Sequence, residues 1–220
     1  MGTRLPPVAA PPPCRRLDLP DAEVLHWPRA FDAAQADTLL ARLRVETDWQ
    51  QEHVTLFGVR RPVPRLVAWH GDPGTTYRYS GIVHEPRPWT DALLEVRAVA
   101  ERLTGHAYDS VLLNLYRDGR DAMGWHADDE RELGPEPAIA SVSFGATRRF
   151  RLRHRRGLAA TAVELAHGSL LSMAGPTQRH YVHAVPRTAR AVGERVNLTF
   201  RRLLGRRVAG PPGVRPRRRS

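Results

Sequence analysis

The sequence predicts a mainly β fold, a double-stranded β-helix (jelly-roll, cupin-like) core with two helices flanking it. Three observations predict this. Beyond Glu130, short strand-like runs recur at 138–144, 148–154, 162–165, 169–173, 181–185 and 196–203, with turn signals between them. Helical periodicity is confined to two stretches ahead of these runs, so the regular strand–helix alternation of a parallel sheet is missing. A length of 220 residues suits one domain with a real core. Such an architecture does not by itself imply catalysis.

Residues 1–20 carry the run PPVAAPPPC and read as a flexible leader, with ordered structure expected from about Val24 and the folded domain spanning 21–204. Residues 32–44 (DAAQADTLLARLR) predict a helix capped by Asp32, with Ala36, Leu39, Leu40 and Leu43 on its buried face. Residues 55–65 (TLFGVRRPVPR) predict a hairpin or extended loop in which Phe57 stands beside Gly58, with Arg60, Arg61 and Arg65 close behind. A phenylalanine is most often simply buried. At a basic surface it can also act as an apolar wedge that enters a base stack.

Trp69 follows, then TTYRYSG, in which Tyr77 and Tyr79 share a strand face. Paired aromatics at this spacing usually pack in a core; in a base-modifying enzyme they can wall a pocket for a flipped nucleotide. A second helix is predicted over 90–103, where Leu93, Leu94, Val96, Val99, Ala100 and Leu103 recur at helical spacing. Residues 111–116 (VLLNLY) then predict a strand with Leu112, Asn114 and Tyr116 on one face.

The turn RDGRDAMG leads to His126, Ala127 and Asp128. In an extended segment His126 and Asp128 point the same way and can share one ion, although His-x-Asp is common on ordinary surfaces. Two histidines and one carboxylate make the facial triad of non-haem Fe(II) oxygenases, which leaves positions open for cosubstrate and oxygen. In HYVHAVPR, His183 is the best third ligand, and His180 cannot share its strand face. In RVNLTFR, Arg195, Asn197, Thr199 and Arg201 share one strand face and Val196, Leu198 and Phe200 the other. A solvated polar face explains such a row in most strands. Here the arginines at its ends, about 20 Å apart at Cα, can fold inward over a short dicarboxylate, for which the guanidinium fork is suited.

Taken in order and spacing, Asn114-x-Tyr116, His126-x-Asp128, His183 and Arg195-x-Asn197-x-Thr199-x-Arg201 resemble the AlkB family of Fe(II)- and 2-oxoglutarate-dependent nucleic-acid demethylases. The resemblance runs from about Val54 to Leu203, and the phrase HADDERELGPEPAIASVSFGATRRFRLRH is most similar to members that repair duplex DNA. It implies Fe(II) on His126, Asp128 and His183, with O2 and 2-oxoglutarate as cosubstrates. It further implies that Arg195 with Tyr116 holds the distal carboxylate and Arg201 with Asn114 the end nearer the metal, Asn197 and Thr199 lying between. Residues 50–84 become a nucleotide-recognition lid. Phe57 and Gly58 are then the wedge, Arg60, Arg61 and Arg65 phosphate contacts, and Tyr77, Tyr79, Ser80 and Trp69 base contacts.

The implied reaction is oxidative demethylation of 1-methyladenine or 3-methylcytosine, releasing succinate and formaldehyde. Asp129 and Glu130 read either as a solvated acidic pair or, beside a metal site in a basic protein, as recognition of a cationic methylated base. Duplex DNA is the favoured partner, with single strands or RNA as alternatives. An RNA demethylase or a hydroxylase of proteins or small molecules is the alternative function.

Charge agrees with a nucleic-acid partner. The formal net charge is +11, all basic residues being arginine, and a pI near 11.2 predicts attraction to polyanions. Residues 205–220 hold six arginines and no acid, and read as a disordered tail that either binds phosphate non-specifically or is merely solvated. No apolar run is long enough to cross a membrane and the leader lacks a signal-peptide core. Cys14 is the single cysteine, which excludes an internal disulfide and fits a reducing cytoplasm. A monomer is expected.

Overall fold

A computed structural model describes residues 12–204 apart from 57, 76, 80 and 81; the side chains of 56, 77–79 and 82–84 also lie outside the description. In chain order the elements are β1 (Arg15–Arg16), β2 (Glu23–Trp27), α1 (Ala33–Glu46), β3 (His53–Leu56), β4 (Val59–Pro62), β5 (Leu66–Gly71), β6 (Tyr77–Tyr79) and β7 (Ile82–His84). There follow α2 (Asp91–Thr104), β8 (Ser110–Tyr116), β9 (Met123–His126), a 3-10 turn at Arg131–Leu133, β10 (Ile139–Gly145), β11 (Arg148–His154) and β12 (Thr161–Leu165). The last are β13 (Ser169–Ala174), α3 (Thr177–His180), β14 (Tyr181–Val185) and β15 (Arg195–Arg201).

Eleven strands form a seven-stranded sheet in the order β1-β2-β13-β10-β15-β8-β5 and a four-stranded sheet in the order β12-β11-β14-β9, and β3-β4 and β6-β7 pair separately. Neighbours in both are antiparallel. Period-two alternation decides what each face of the large sheet meets. Val111, Leu113 and Leu115 of β8, Ala140, Val142 and Phe144 of β10, and Val196, Leu198 and Phe200 of β15 all join one core cluster with α1 and α2. The intervening residues face the small sheet, where Ile139, Leu171 and Met173 meet Phe150, Leu152, Tyr181 and Val185. Polar residues on this inner face of β8, β10 and β15 are therefore enclosed between the sheets.

Helix boundaries follow their caps. Asp32 accepts from the Gln35 amide at 2.8 Å while Gln35 reaches back to the Asp32 amide at 3.3 Å, a complete capping box. Thr90 caps α2, and Gly105 ends it in the left-handed region at φ 74°, donating to the Glu101 carbonyl. Leu39, Leu43 and Leu93 are buried, each contributing roughly 1.5–3 kcal/mol. Some helix positions differ from expectation: Leu94 is 44% exposed, and Leu40, Val99 and Leu103 are only half-buried. The apolar periodicity continued one residue beyond the stripe that the sheet covers.

The sheet begins earlier than the sequence suggested. Arg15 and Arg16 pair with His26 and Leu25, and Leu17 and Leu19 pack against the inter-sheet core. The expected leader thus joins the fold from Arg15. Residues 1–11 and the arginine-rich 205–220 lie outside the described residues.

Candidate active site

His126 and His183 are direct register partners across β9 and β14, and Asp128 lies two residues past the end of β9. Their ligand atoms all fall within 4.8 Å of one another. Asp128 and His183 are buried, with His183 Nε2 3.7 Å from Asp128 Oδ2. His126 Nδ1 sits 2.9 Å from the Gly124 carbonyl. A carbonyl only accepts, so Nδ1 carries the proton and Nε2 keeps a lone pair for a metal. The His183 ring stacks on Phe150 and meets the His126 ring edge-on at 4.2 Å.

Protonation also suits a cation. Burial first, then His126, push His183 down to about 3, leaving it neutral at ordinary pH. Burial acts to raise Asp128, but Arg201 and the two histidines outweigh it and hold the carboxyl at about 2. Arg201 donates to Asp128 Oδ1 at 2.6 Å. The Asp128 amide donates to Gln178 Oε1 at 3.0 Å, fixing the loop from α3. The donor set therefore fits Fe(II), with nitrogen and carboxylate ligands on one side of the ion.

A second group, Asp21, His154 and His180, has ligand atoms equally close. Its hydrogen bonding is opposite. The Arg156 amide donates to His154 Nδ1 at 3.0 Å, so the proton of neutral His154 is on Nε2, facing Asp21 Oδ2 at 3.4 Å. A metal needs that lone pair free. The second group is a histidine–carboxylate contact, and His180, the rejected third ligand, stacks on His154 within it.

The row on β15 lines the same cavity as the first cluster. Arg195 is 1% exposed. Its Nη2 donates to Ser143 Oγ at 2.8 Å and its guanidinium lies 5.1 Å from the Tyr116 ring centre, while Nε and Nη1 are buried without a hydrogen-bond partner. Burial pushes its pKa down to about 10. A buried cation with unused donors is costly unless an anion joins it, which fits a carboxylate of 2-oxoglutarate. Asn197 donates to Ser141 Oγ and the Val142 carbonyl, both at 2.9 Å, and Thr199 to Asn197 Oδ1 at 3.3 Å. Register sets Tyr116 opposite Arg195 and Asn114 opposite Asn197. Asn114 thus lies between the arginines, nearer in register to Arg195 than to Arg201.

The outer residues divide. Gly58 turns the β3–β4 hairpin at φ 77°, and Arg60 and Arg61 are exposed on β4. Phe57 and Ser80 lie outside the described residues, as do the side chains of Tyr77 and Tyr79, whose backbones share β6. Trp69 is buried with Val67 and Leu112, its indole N–H 3.1 Å from the Thr75 carbonyl.

Two expectations are corrected. Arg65 is 3% exposed and donates to Asn114 Oδ1 at 2.7 Å, so it turns inward behind a residue that lines the cavity and is not an exposed phosphate contact. Asp129 is not uncompensated: it is exposed and paired with Arg155 at 2.7 Å. Glu130 is half-buried.

Sequence reasoning missed Ser141, Ser143, Gln178 and Arg148. Arg148 is buried beside Tyr116, 5.6 Å from its ring centre, and donates to the carbonyls of Asp118, Asp121 and Pro186. The two serines were visible as an alternating Ser-x-Ser in a strand that pairs with RVNLTFR; Gln178 carried no local signal.

Comparison with known proteins agrees with this geometry. A family model described as 2OG-Fe(II) oxygenase superfamily matches residues 23–201. The DNA oxidative demethylase ALKBH2 of Mus musculus is 43% identical over 185 residues, covering 79% of this chain and 77% of the relative. The alpha-ketoglutarate-dependent dioxygenase alkB homolog 3 of Rattus norvegicus is 39% identical over 190 residues, covering 82% of this chain and 64% of the relative. The structure of OsALKBH1 superposes with a TM-score of 0.57 over 86% of this chain and 100% of that chain, at 16% identity, which speaks to the fold alone.

Proposed function

The chain belongs to the 2OG-Fe(II) oxygenase superfamily, and on that premise we propose that it demethylates alkylated bases in DNA by oxidation. One observation carries the reading: a His/Asp/His cluster, with Asp128 and His183 buried and His126 half-buried, shares its cavity with Arg195, a buried cation whose free N–H groups call for a carboxylate. The DNA substrate is supported by relatives that are named DNA oxidative demethylases and are about 43% identical. Fe(II), O2 and 2-oxoglutarate together supply the oxidant that hydroxylates an N-methyl carbon, after which formaldehyde is released.

The chain's own residues do the rest. His126, Asp128 and His183 hold the metal, and Arg201 keeps the Asp128 carboxylate ionised and oriented. Arg195, backed by Ser143 and Tyr116, anchors the distal carboxylate, and Asn114, Asn197 and Thr199 line the space between the arginines. Arg60 and Arg61 contact phosphate, with Phe57 as wedge and Tyr77, Tyr79, Ser80, Trp69 and Glu130 toward the base. On the outer face of the small sheet, exposed Trp125 carries the guanidiniums of Arg151 and Arg153 at 5.4 and 4.5 Å, a basic aromatic surface that suits a polyanion.

The proposal includes duplex DNA as substrate and a monomeric cytoplasmic enzyme. Among the described residues, no helix is long and apolar enough to cross a membrane. The test is a duplex with one 1-methyladenine, incubated with Fe(II), 2-oxoglutarate and oxygen, with succinate and repaired adenine both quantified. Both should rise together, and His126→Ala should abolish both. Succinate without repair keeps the oxygenase and sinks the duplex substrate.

A further inference from the structure

We infer that Arg65 is a positioning residue for the cosubstrate: it holds the Asn114 amide so that its N–H donors face the ligand. The inference rests on the reading that this cavity takes 2-oxoglutarate.

The backbone at Arg65 is pinned from several sides. The Val63 amide donates to the Glu52 carbonyl at 2.9 Å, the Arg65 amide to the Val63 carbonyl at 2.8 Å, and the Ala122 amide to the Pro64 carbonyl at 3.0 Å. The Gln51 side-chain amide adds a 2.8 Å bond to the Val63 carbonyl. Proline at 62 and 64 restricts the same segment. The side chain therefore leaves a fixed base, and it runs inward to Asn114.

Chemistry then decides what Asn114 presents. A guanidinium only donates, so the Asn114 atom at 2.7 Å from Arg65 Nε must be the amide oxygen. With its oxygen taken, the amide has one orientation and its N–H pair is left for the cavity that Asn114 lines. Asn114 is 4% exposed and stands opposite Asn197, between Arg195 and Arg201. Removing Arg65 frees the amide to turn its oxygen toward an anionic ligand. The strand pair bearing Arg60 and Arg61 therefore continues, through Arg65, into the cosubstrate site.

The test is oxygen-free calorimetric titration of 2-oxoglutarate into Mn(II)-loaded protein, with melting temperature measured on every variant. Arg65→Met should weaken binding about tenfold or more. Arg65→Met on top of Asn114→Ala should cost nothing further, because the two residues act as one unit. Unchanged affinity in Arg65→Met, or losses that multiply in the double variant, would overturn the inference. Asn114→Asp supplies a check independent of whether Arg65→Met folds. It keeps an acceptor for Arg65 and replaces the donors with charge, so binding should be lost while the melting temperature holds; wild-type-like binding by Asn114→Asp also overturns it. Failure of the wild-type protein to bind 2-oxoglutarate would instead refute the cosubstrate reading itself.

Discussion

At the scale of single residues, the site is set by hydrogen bonds that leave one atom of each polar group committed and the other available. His126 gives Nδ1–H to a carbonyl and keeps Nε2, Arg195 spends Nη2 on Ser143 and keeps Nε and Nη1, and Asn114 gives up its oxygen. Gln178 belongs to the same scheme although it touches no ligand. Its oxygen holds the Asp128 amide, and its chain neighbour three residues past α3 is the ligand His183. It therefore fixes the distance between the β9 loop and β14. Gln178→Leu should weaken Mn(II) binding by about 10- to 100-fold, read by electron paramagnetic resonance titration, whereas Gln178→Glu, which retains an acceptor, should lose less. Equal losses in both variants would mean that the side-chain oxygen is not what orients Asp128.

At the scale of elements, most of what the sequence revealed came from alternation, and most of what it hid came from pairing. The strand runs and both capped helices were legible because period-two and helical patterns are local. So was the polar row of β15, but only register reveals that it lies between β8 and β10, beside Asn114, Ser141 and Ser143. Arg65 was misread for the same reason. Next to two arginines in sequence it resembled a surface cation, and the turn into β5 sends it inward. Tyr108, between α2 and β8, shows how such packing becomes a pH dependence. Burial raises its hydroxyl to about 12, while Thr104 Oγ1 stands 3.0 Å away. The folded state thus holds this proton more tightly than the unfolded chain. Its contribution is complete below pH 10 and is lost as pH rises from 10 through 12, to an extent of roughly 2–3 kcal/mol. Urea midpoints of the wild-type protein should fall over that window, and Tyr108→Phe should fall by less; parallel curves would assign the alkaline loss elsewhere.

At the scale of the whole molecule, charge and fold have separate roles. The formal net charge of +11 says nothing about which arginines meet a ligand, and the fold divides them sharply. Arg195 and Arg201 are buried in the cavity wall and Arg65 and Arg148 are buried behind it, bonded to Asn114 and to backbone carbonyls, while Arg60 and Arg61 are exposed on the hairpin that follows α1. Phosphate contacts release counterions, so each true contact steepens the fall of DNA affinity with salt by about one unit of log–log slope. Arg60→Ala and Arg61→Ala should each flatten that slope by about one unit in duplex binding measured across a salt series. Arg65→Met should leave it unchanged, because a buried side chain bonded to Asn114 has no phosphate to neutralise. A slope that flattens with Arg65→Met but not with Arg60→Ala would return Arg65 to the DNA surface, and would mean that the hairpin reorganises when DNA arrives.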